Sequence, residues 1–215
     1  MIVSVLSLKG GVGKTTTAMH LAACSQLEAE LNLEDGQVLE PGSVTVLDAD
    51  EEGSAVSWSR MTETNGHSLG FAVVQAEKNS LAVQAKAIDG PGRVVIIDTP
   101  PNNREALTIA GMISNMVIVP LLSSAVDVDR LVNTIAMLKN VEAARGSMLT
   151  GILLTKFSGA QRLSKQTLEA LESFSVFETR VRDLVRYREA FGNPVKQMYL
   201  SEYSSVWDEI KGAVS

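Results

Sequence analysis

The chain has 215 residues, 45% hydrophobic and 20% charged, a composition expected of one globular domain able to bury its own core. A single cysteine, Cys24, excludes an intramolecular disulfide framework and any cysteine-only metal cage within one chain, and two histidines, His20 and His67, argue against a zinc hydrolase. The net charge of −6 argues against a DNA-coating protein, but residues 1–110 carry −7 and residues 111–215 carry +1, so an anion-attracting surface is expected in the C-terminal half.

In chain order, short apolar and β-branched runs at Ile2–Ser7, Val44–Asp48, Phe71–Val74, Val94–Asp98, Met116–Pro120 and Leu149–Leu154 predict strands. Most are apolar without interruption, the pattern of strands covered on both faces. Helices are predicted over Thr15–Glu30, Asn79–Ile88, Arg104–Met112 and Val126–Arg145. In the last, Val128, Leu131, Val132, Ile135 and Leu138 mark one apolar face. Alternation at this rhythm requires crossover connections. The expected fold is therefore α/β, a doubly wound, mainly parallel sheet with helices on both faces, in one domain spanning residues 1–215. Gln26–Gly42, with Glu28, Glu30, Glu34, Asp35, Gly36 and Glu40, reads as a helix extension and an acidic surface loop. No apolar run reaches the roughly 20 residues of a membrane span and no signal segment precedes the first strand, so a cytoplasmic location is expected.

The most informative stretch is Lys9-Gly10-Gly11-Val12-Gly13-Lys14-Thr15-Thr16, which follows one predicted strand and opens a predicted helix. Glycines let a backbone curl around phosphates with its N–H groups inward, and the helix N-terminus adds partial positive charge. Lys14 is expected to reach the β- and γ-phosphates of a nucleotide, and the Thr15 hydroxyl to ligand Mg²⁺. Leu8 stands where the general phosphate-loop pattern places its first glycine. Two later strands end in carboxylates, the first in Asp48 with Asp50 just beyond it and the second in Asp98.

The stretch from Lys9 to Thr16 matches at every position the loop of the deviant Walker-A ATPases of the ParA/MinD family, and the resemblance extends over essentially the whole chain. It implies a P-loop NTPase-like fold, ATP and Mg²⁺, and a homodimer closed around nucleotide. Lys9 would cross to the partner's nucleotide, stabilising charge as an arginine finger does. Residues Gly10, Gly11, Val12, Gly13, Lys14, Thr15 and Thr16 would cradle the phosphates. Asp50 matches the carboxylate that orients or activates water, which makes Lys9, Lys14 and Asp50 the implied catalytic set. Asp48 would lie near the Mg²⁺ shell. Asp98-Thr99-Pro100-Pro101 resembles the Walker B and switch II segment, with Thr15 and Asp98 at the metal. Glu51-Glu52 stand where the family's switch I usually has Pro-Gln. Met116–Pro120 with Ser124 and Asp127, and later Arg180, Tyr187–Ala190 and Gly192–Val195, resemble the remaining segments. Thr155, Lys156 and Arg180 are the implied adenine-pocket residues.

Within the superfamily, the lone Cys24 excludes a two-cysteine iron–sulfur bridge and reads as a core thiol. The closing segment Tyr203–Ser215 lacks the cationic face of a membrane-binding helix, so Trp207 is expected to pack inward and no membrane partner is expected. The first strand opens at Ile2, so no operator-binding domain is expected. These points leave the small ParA type, an ATP-dependent dimer that binds nonspecific DNA, associates with the nucleoid and positions a plasmid, chromosome or protein compartment through a ParB-like or other adaptor that stimulates hydrolysis. The alternative is a metabolic or maturation ATPase acting on a small substrate or assembly partner. Arg182, Arg186 and Arg188, with Lys196 as an addition, are the expected DNA contacts, and Arg180 is assigned to the nucleotide.

Overall fold

The protein is described by a computed structural model over residues 1–34, 37, 39–77, 79–122, 126–158, 171, 174–195 and 200–214, with backbone alone over 126–130. Asp35, Gly36, Ser124, the Asp127 side chain, the Val128 side chain and Lys196, all singled out above, lie outside the described residues.

Six strands form one sheet: β1 (Ile2–Val5), β2 (Val44–Asp48), β3 (Ala72–Gln75), β4 (Val94–Asp98), β5 (Met116–Leu122) and β6 (Leu149–Thr155). Their order is β3-β2-β4-β1-β5-β6 and every pairing is parallel. Among the described residues the helices are α1 (Lys14–Leu31), α2 (Ser54–Thr64), α3 (Leu81–Ile88), α4 (Arg104–Ile113), α5 (Val126–Arg145), the single turn α6 (Val185–Arg188) and α7 (Ser201–Val214). Alternate strand residues face opposite sides, as the pleat dictates. Val3, Val46, Ile96 and Leu153 pack with Trp58, Tyr203, Val206 and Trp207 under α1, α2 and α7. Leu47, Val95, Ile97 and Val119 pack with Leu81, Leu107 and Leu138 under α3, α4 and α5. The expected architecture is the observed one.

The winding direction locates the site. From central β1 the chain winds outward to β2 and β3, returns to β4, then crosses to β5 and β6 on the other side. Ligands in such sheets bind beyond the carboxyl ends of the strands where the winding reverses. The loop after β1 lies there. The register sets Val5 beside Asp98 and Asp98 beside Asp48, so both carboxylates leave the sheet level with that loop.

Several boundaries differ from the sequence reading. Strand β1 ends at Val5 instead of Ser7, although the Leu6 N–H still donates to the Ile118 carbonyl at 2.8 Å. Strands β5 and β6 run on to Leu122 and Thr155. Helix α2 was not predicted, because its buried stripe is only Ala55, Trp58 and Thr62, too brief to register as a period. Helix α7 starts two residues before the predicted segment and turns Tyr203, Val206, Trp207 and Ile210 inward. Trp207 Nε1 donates to Glu28 Oε2 of α1 at 2.7 Å, so the tryptophan is packed as expected.

Cys24 is buried, and burial pushes its thiol up to about 12, which makes it an inert core residue. His20, also on α1, sits among the rings of Tyr203, Tyr187 and Trp58 at centroid distances of 4.6, 5.2 and 6.1 Å. Its Nδ1 donates to the Thr16 carbonyl at 2.7 Å. Burial is the main cause that lowers its pKa from 6.5 to about 4. The unfolded chain therefore takes up a proton at His20 before the folded chain does. This contribution to stability is complete above pH 6.5 and is lost as pH falls through 4, amounting to about 3 kcal/mol for such a shift. Denaturant unfolding at intervals from pH 7 to 4 is expected to show this loss in the wild type. The step should shrink in His20→Phe, and an equal step in both proteins would exclude His20 as its source.

Candidate nucleotide-binding site

The loop after β1 is shaped by two left-handed glycines, Gly11 at φ 74° and Gly13 at φ 89°. A Cβ on either would meet nothing within 4 Å, so these glycines answer to backbone conformation and face open space, as a cradle for a ligand must. Gly13 is the N-cap of α1, and its side-chain position offers the helix no capping bond. The first N–H groups of α1 therefore point toward the cradle, where an anion satisfies them.

Lys14 is buried, and its Nζ donates to the Lys9 carbonyl at 3.0 Å, curling back along the loop. Desolvation lowers its pKa, while Asp98 and then Asp50 draw it back up, so both carboxylates lie within electrostatic reach of the ammonium. Asp98 is fully buried at the end of β4 and burial pushes its pKa up to about 7. The Thr15 hydroxyl is close enough to lower that value, yet by distance and angle neither carboxylate oxygen has a hydrogen-bond partner among the described residues. An orphaned buried carboxylate beside a threonine hydroxyl is a hard-oxygen donor set, which fits Mg²⁺. Among the described residues no group of three or more His, Cys, Asp or Glu side chains is arranged to hold a metal by protein ligands alone.

Asp48 has a different occupation from the expected place near the metal shell. Its Oδ2 accepts from the N–H groups of Ala55 at 2.8 Å and Val56 at 3.1 Å, and its Oδ1 from the Asp50 N–H at 3.1 Å. It therefore caps α2 across the switch I turn, and its acceptor sites point at the turn. It still raises the pKa of Asp98 through space. Asp50 is half-buried, and its Oδ1 accepts from the Glu52 N–H at 3.1 Å.

A cavity of about 300 Å³ opens beside the first turn of α1, lined in part by Gly13, Thr15, Thr16, Trp58, Thr155 and Lys156. Thr155 Oγ1 donates to the Val12 carbonyl at 2.8 Å, and Lys156 Nζ to the Gly11 carbonyl at 2.8 Å from a left-handed backbone at φ 49°. Both expected pocket residues, Thr155 at the end of β6 and Lys156 just after it, thus brace the phosphate loop. Arg180 does not line the cavity, and its guanidinium lies 4.9 Å from the Phe157 ring centroid. Two of the expected DNA contacts line it instead, Arg182 and Arg188. Arg182 is paired with Glu202, and Arg188 with Asp183 at 3.2 Å. Arg186 stands over the Tyr187 ring at 5.1 Å. Arg182 and Arg188 therefore stand on the cavity wall with one carboxylate partner each, and Arg180 stands outside it. Charge runs alone could not show which carboxylates would pair with them. Sequence reasoning also missed Trp58 as a cavity residue and Gln75, whose side chain reaches the switch I turn.

This loop and these carboxylates, on a sheet of this order, define a P-loop fold of the ParA/MinD kind. Residues 1–201 match the family described as VirC1 protein, and the chain belongs to that family. A relative named Maintenance of carboxysome distribution protein A, from Gloeobacter kilaueensis, is 31% identical over 62% of this chain, and the match spans 55% of that protein. Chromosome partitioning protein ParA of Caulobacter vibrioides is 24% identical over 90% of this chain and 85% of its own length. Among solved structures, the cell division ATPase MinD of Pyrococcus furiosus superposes with a TM-score of 0.73 at 14% identity, covering 99% of this chain and 98% of that one. A plasmid partition protein of Borrelia burgdorferi bound to AMPPNP gives 0.71 at 17% identity, with 99% and 98% covered.

Asp98→Asn tests the burial of the unpartnered carboxylate. Folding raises the pKa of Asp98, so the native state holds this proton up to about pH 7 while the unfolded chain loses it near 3.8. The ligand-free protein thus loses stability as pH rises between those values. At pH 8 the asparagine variant is expected to be more stable in denaturant by about 1–4 kcal/mol, with the gain fading at pH 4. A variant less stable than the wild type at pH 8 would mean that Asp98 is already satisfied.

Proposed function

We propose that the chain is a small ParA-type ATPase that binds Mg·ATP, dimerises around it, binds nonspecific DNA as the dimer, and positions a cargo through an adaptor that stimulates hydrolysis. The observation that carries this reading is the pairing of an orphaned buried carboxylate, Asp98, with a loop that reads Lys9-Gly10-Gly11-Val12-Gly13-Lys14-Thr15-Thr16. The two relatives named for carboxysome distribution and chromosome partitioning support the positioning role.

In this reading Thr15 and Asp98 hold Mg²⁺, which neutralises phosphate charge when bound. Lys14 leaves the Lys9 carbonyl for the β- and γ-phosphates. The N–H groups of Gly11 to Thr16 and the start of α1 cradle the same oxygens. Asp50 orients the attacking water and accepts its proton, and Lys9 serves the partner's nucleotide. The base end of the nucleotide takes the cavity beside Lys156 and Trp58. Arg182 and Arg188 remain more than half exposed at 57% and 61%. A guanidinium paired on one edge still offers donors on the other, so DNA phosphates compete with Glu202 and Asp183 for them. Arg186 adds a contact outside the cavity. A dimer doubles these few contacts, which is how a chain of net charge −6 gains affinity for a polyanion only when ATP is bound. The expected place of action is the nucleoid.

Two measurements test the cycle. Lys9→Ala is expected to bind ATP as a monomer and to lose ATP-dependent dimerisation in sedimentation, and a stable mutant dimer would remove the trans role of that lysine. Duplex binding is expected to require ATP and to weaken steeply with salt. Arg186→Ala should flatten the dependence of log K on log salt by about 2 per dimer, one phosphate contact per protomer. DNA binding that ignores ATP would contradict the cycle, and an unchanged slope would remove Arg186 from the surface.

A further inference from the structure

The turn that presents Asp50 carries Glu51 and Glu52, so no proline ring restricts its backbone. Its internal bonds are the Gly53 N–H to the Asp50 carbonyl at 2.9 Å and the Glu52 N–H to Asp50 Oδ1 at 3.1 Å. Glu51 and Glu52 are exposed and repel each other, which favours opening. Two side chains from the flanking strands span it: the Asp48 carboxylate at the end of β2, which accepts from the Asp50, Ala55 and Val56 N–H groups, and an amide from β3. Gln75, the last residue of β3, donates through Nε2 to the Asp48 carbonyl at 2.8 Å and to the Asp50 carbonyl at 2.9 Å. The sheet register delivers it there, because Asp48 and Gln75 are partners across β2 and β3. The Ala76 N–H donates to the same Asp48 carbonyl at 2.8 Å. The other amide atom, Oε1, stands 3.0 Å from where a Cβ on Gly53 would be, so the absence of a side chain at Gly53 leaves room for the brace.

We propose that Gln75 is a positioning residue for hydrolysis: by clamping the carbonyls on both sides of Ala49 and Asp50 it fixes the direction from which the Asp50 carboxylate meets the phosphate site. Spanning both carbonyls takes a side chain with two N–H donors in reach of them, which the Gln75 amide supplies. A carboxylate in its place offers acceptors to two acceptors, and an alanine leaves both carbonyls to the neighbouring backbone and water. A misplaced carboxylate loses rate while nucleotide affinity, set by the loop from Lys9 to Thr16, stays. The inference rests on the proposed role of Asp50 in turnover, and it makes β3, an edge strand of the sheet, part of the catalytic frame.

The experiment combines Gln75→Ala and Gln75→Glu with Asp50→Ala, using the full chain and Mg·ATP. Both Gln75 variants are expected to lower kcat by about 10-fold with KM for ATP within twofold of the wild type. In the Asp50→Ala background, Gln75→Ala should add no further loss, since both changes disable one unit. A second readout needs no turnover. In the nucleotide-free protein, amide exchange at Glu52 and Gly53 should quicken by about 10-fold in Gln75→Ala, with β4 unchanged. Unaltered exchange at those amides would overturn the brace. A wild-type kcat in the Gln75 variants, or their full loss persisting in Asp50→Ala, would overturn the positioning role. Normal hydrolysis by Asp50→Ala alone, with quickened exchange in Gln75→Ala, would overturn the reading of Asp50 and with it the catalytic consequence of the brace.

Discussion

Three ionisable groups, Lys14, Asp48 and Asp98, are buried together where the central strands end. Taking such charges out of water is unfavourable unless they are paired or bonded, and the three solve this differently. Asp48 is satisfied by three backbone N–H groups. Lys14 has one carbonyl and the field of two carboxylates. Asp98 has no hydrogen-bond partner among the described residues, and its raised pKa expresses that deficit. A divalent cation with phosphate supplies what Asp98 and Lys14 lack. Ligand binding is then favoured because it relieves a cost already present in the ligand-free fold.

The frame around these charges is continuous with switch I. Asp48 ends β2 and caps α2, and α2 places Trp58 against the cavity and the C-terminal segment. Trp58 Nε1 donates to the Asn193 carbonyl at 2.9 Å, and Asn65 Nδ2 to the Gly192 carbonyl at 3.0 Å. On the other wall, Tyr187 and Arg182 converge on Glu202 of α7. The turn that holds Asp50 and the cavity wall at Trp58 are thus tied to one another through α2.

What was legible in the sequence had strong local chemistry. The phosphate loop needed its glycines and Lys14 in a fixed order, and the buried strands needed unbroken apolar runs, so the parallel α/β class could be read directly while the strand order came from the structure. Helix α2 was not legible, because its formation depends on a cap supplied by Asp48 from across a turn and on Trp58 finding a partner 135 residues away. The surroundings of the arginines were not legible for a similar reason. Four of them in nine residues look alike in sequence, and only tertiary placement of Glu202, Asp183 and Phe157 separates cavity wall from surface. Gln75 gave no signal at all, since a glutamine at the end of an edge strand is ordinarily a solvated side chain.

The most direct test of the buried-charge account is a crystal structure of this chain with a non-hydrolysable ATP analogue and Mg²⁺. The account predicts that the Lys14 ammonium leaves the Lys9 carbonyl for phosphate oxygens, and that the Asp98 carboxylate gains its missing partner from the metal or its water shell. Asp48 should keep all three backbone bonds, since its acceptor sites are committed to the turn. A structure in which the analogue is bound but Lys14 stays on the Lys9 carbonyl and Asp98 stays unpartnered would contradict it.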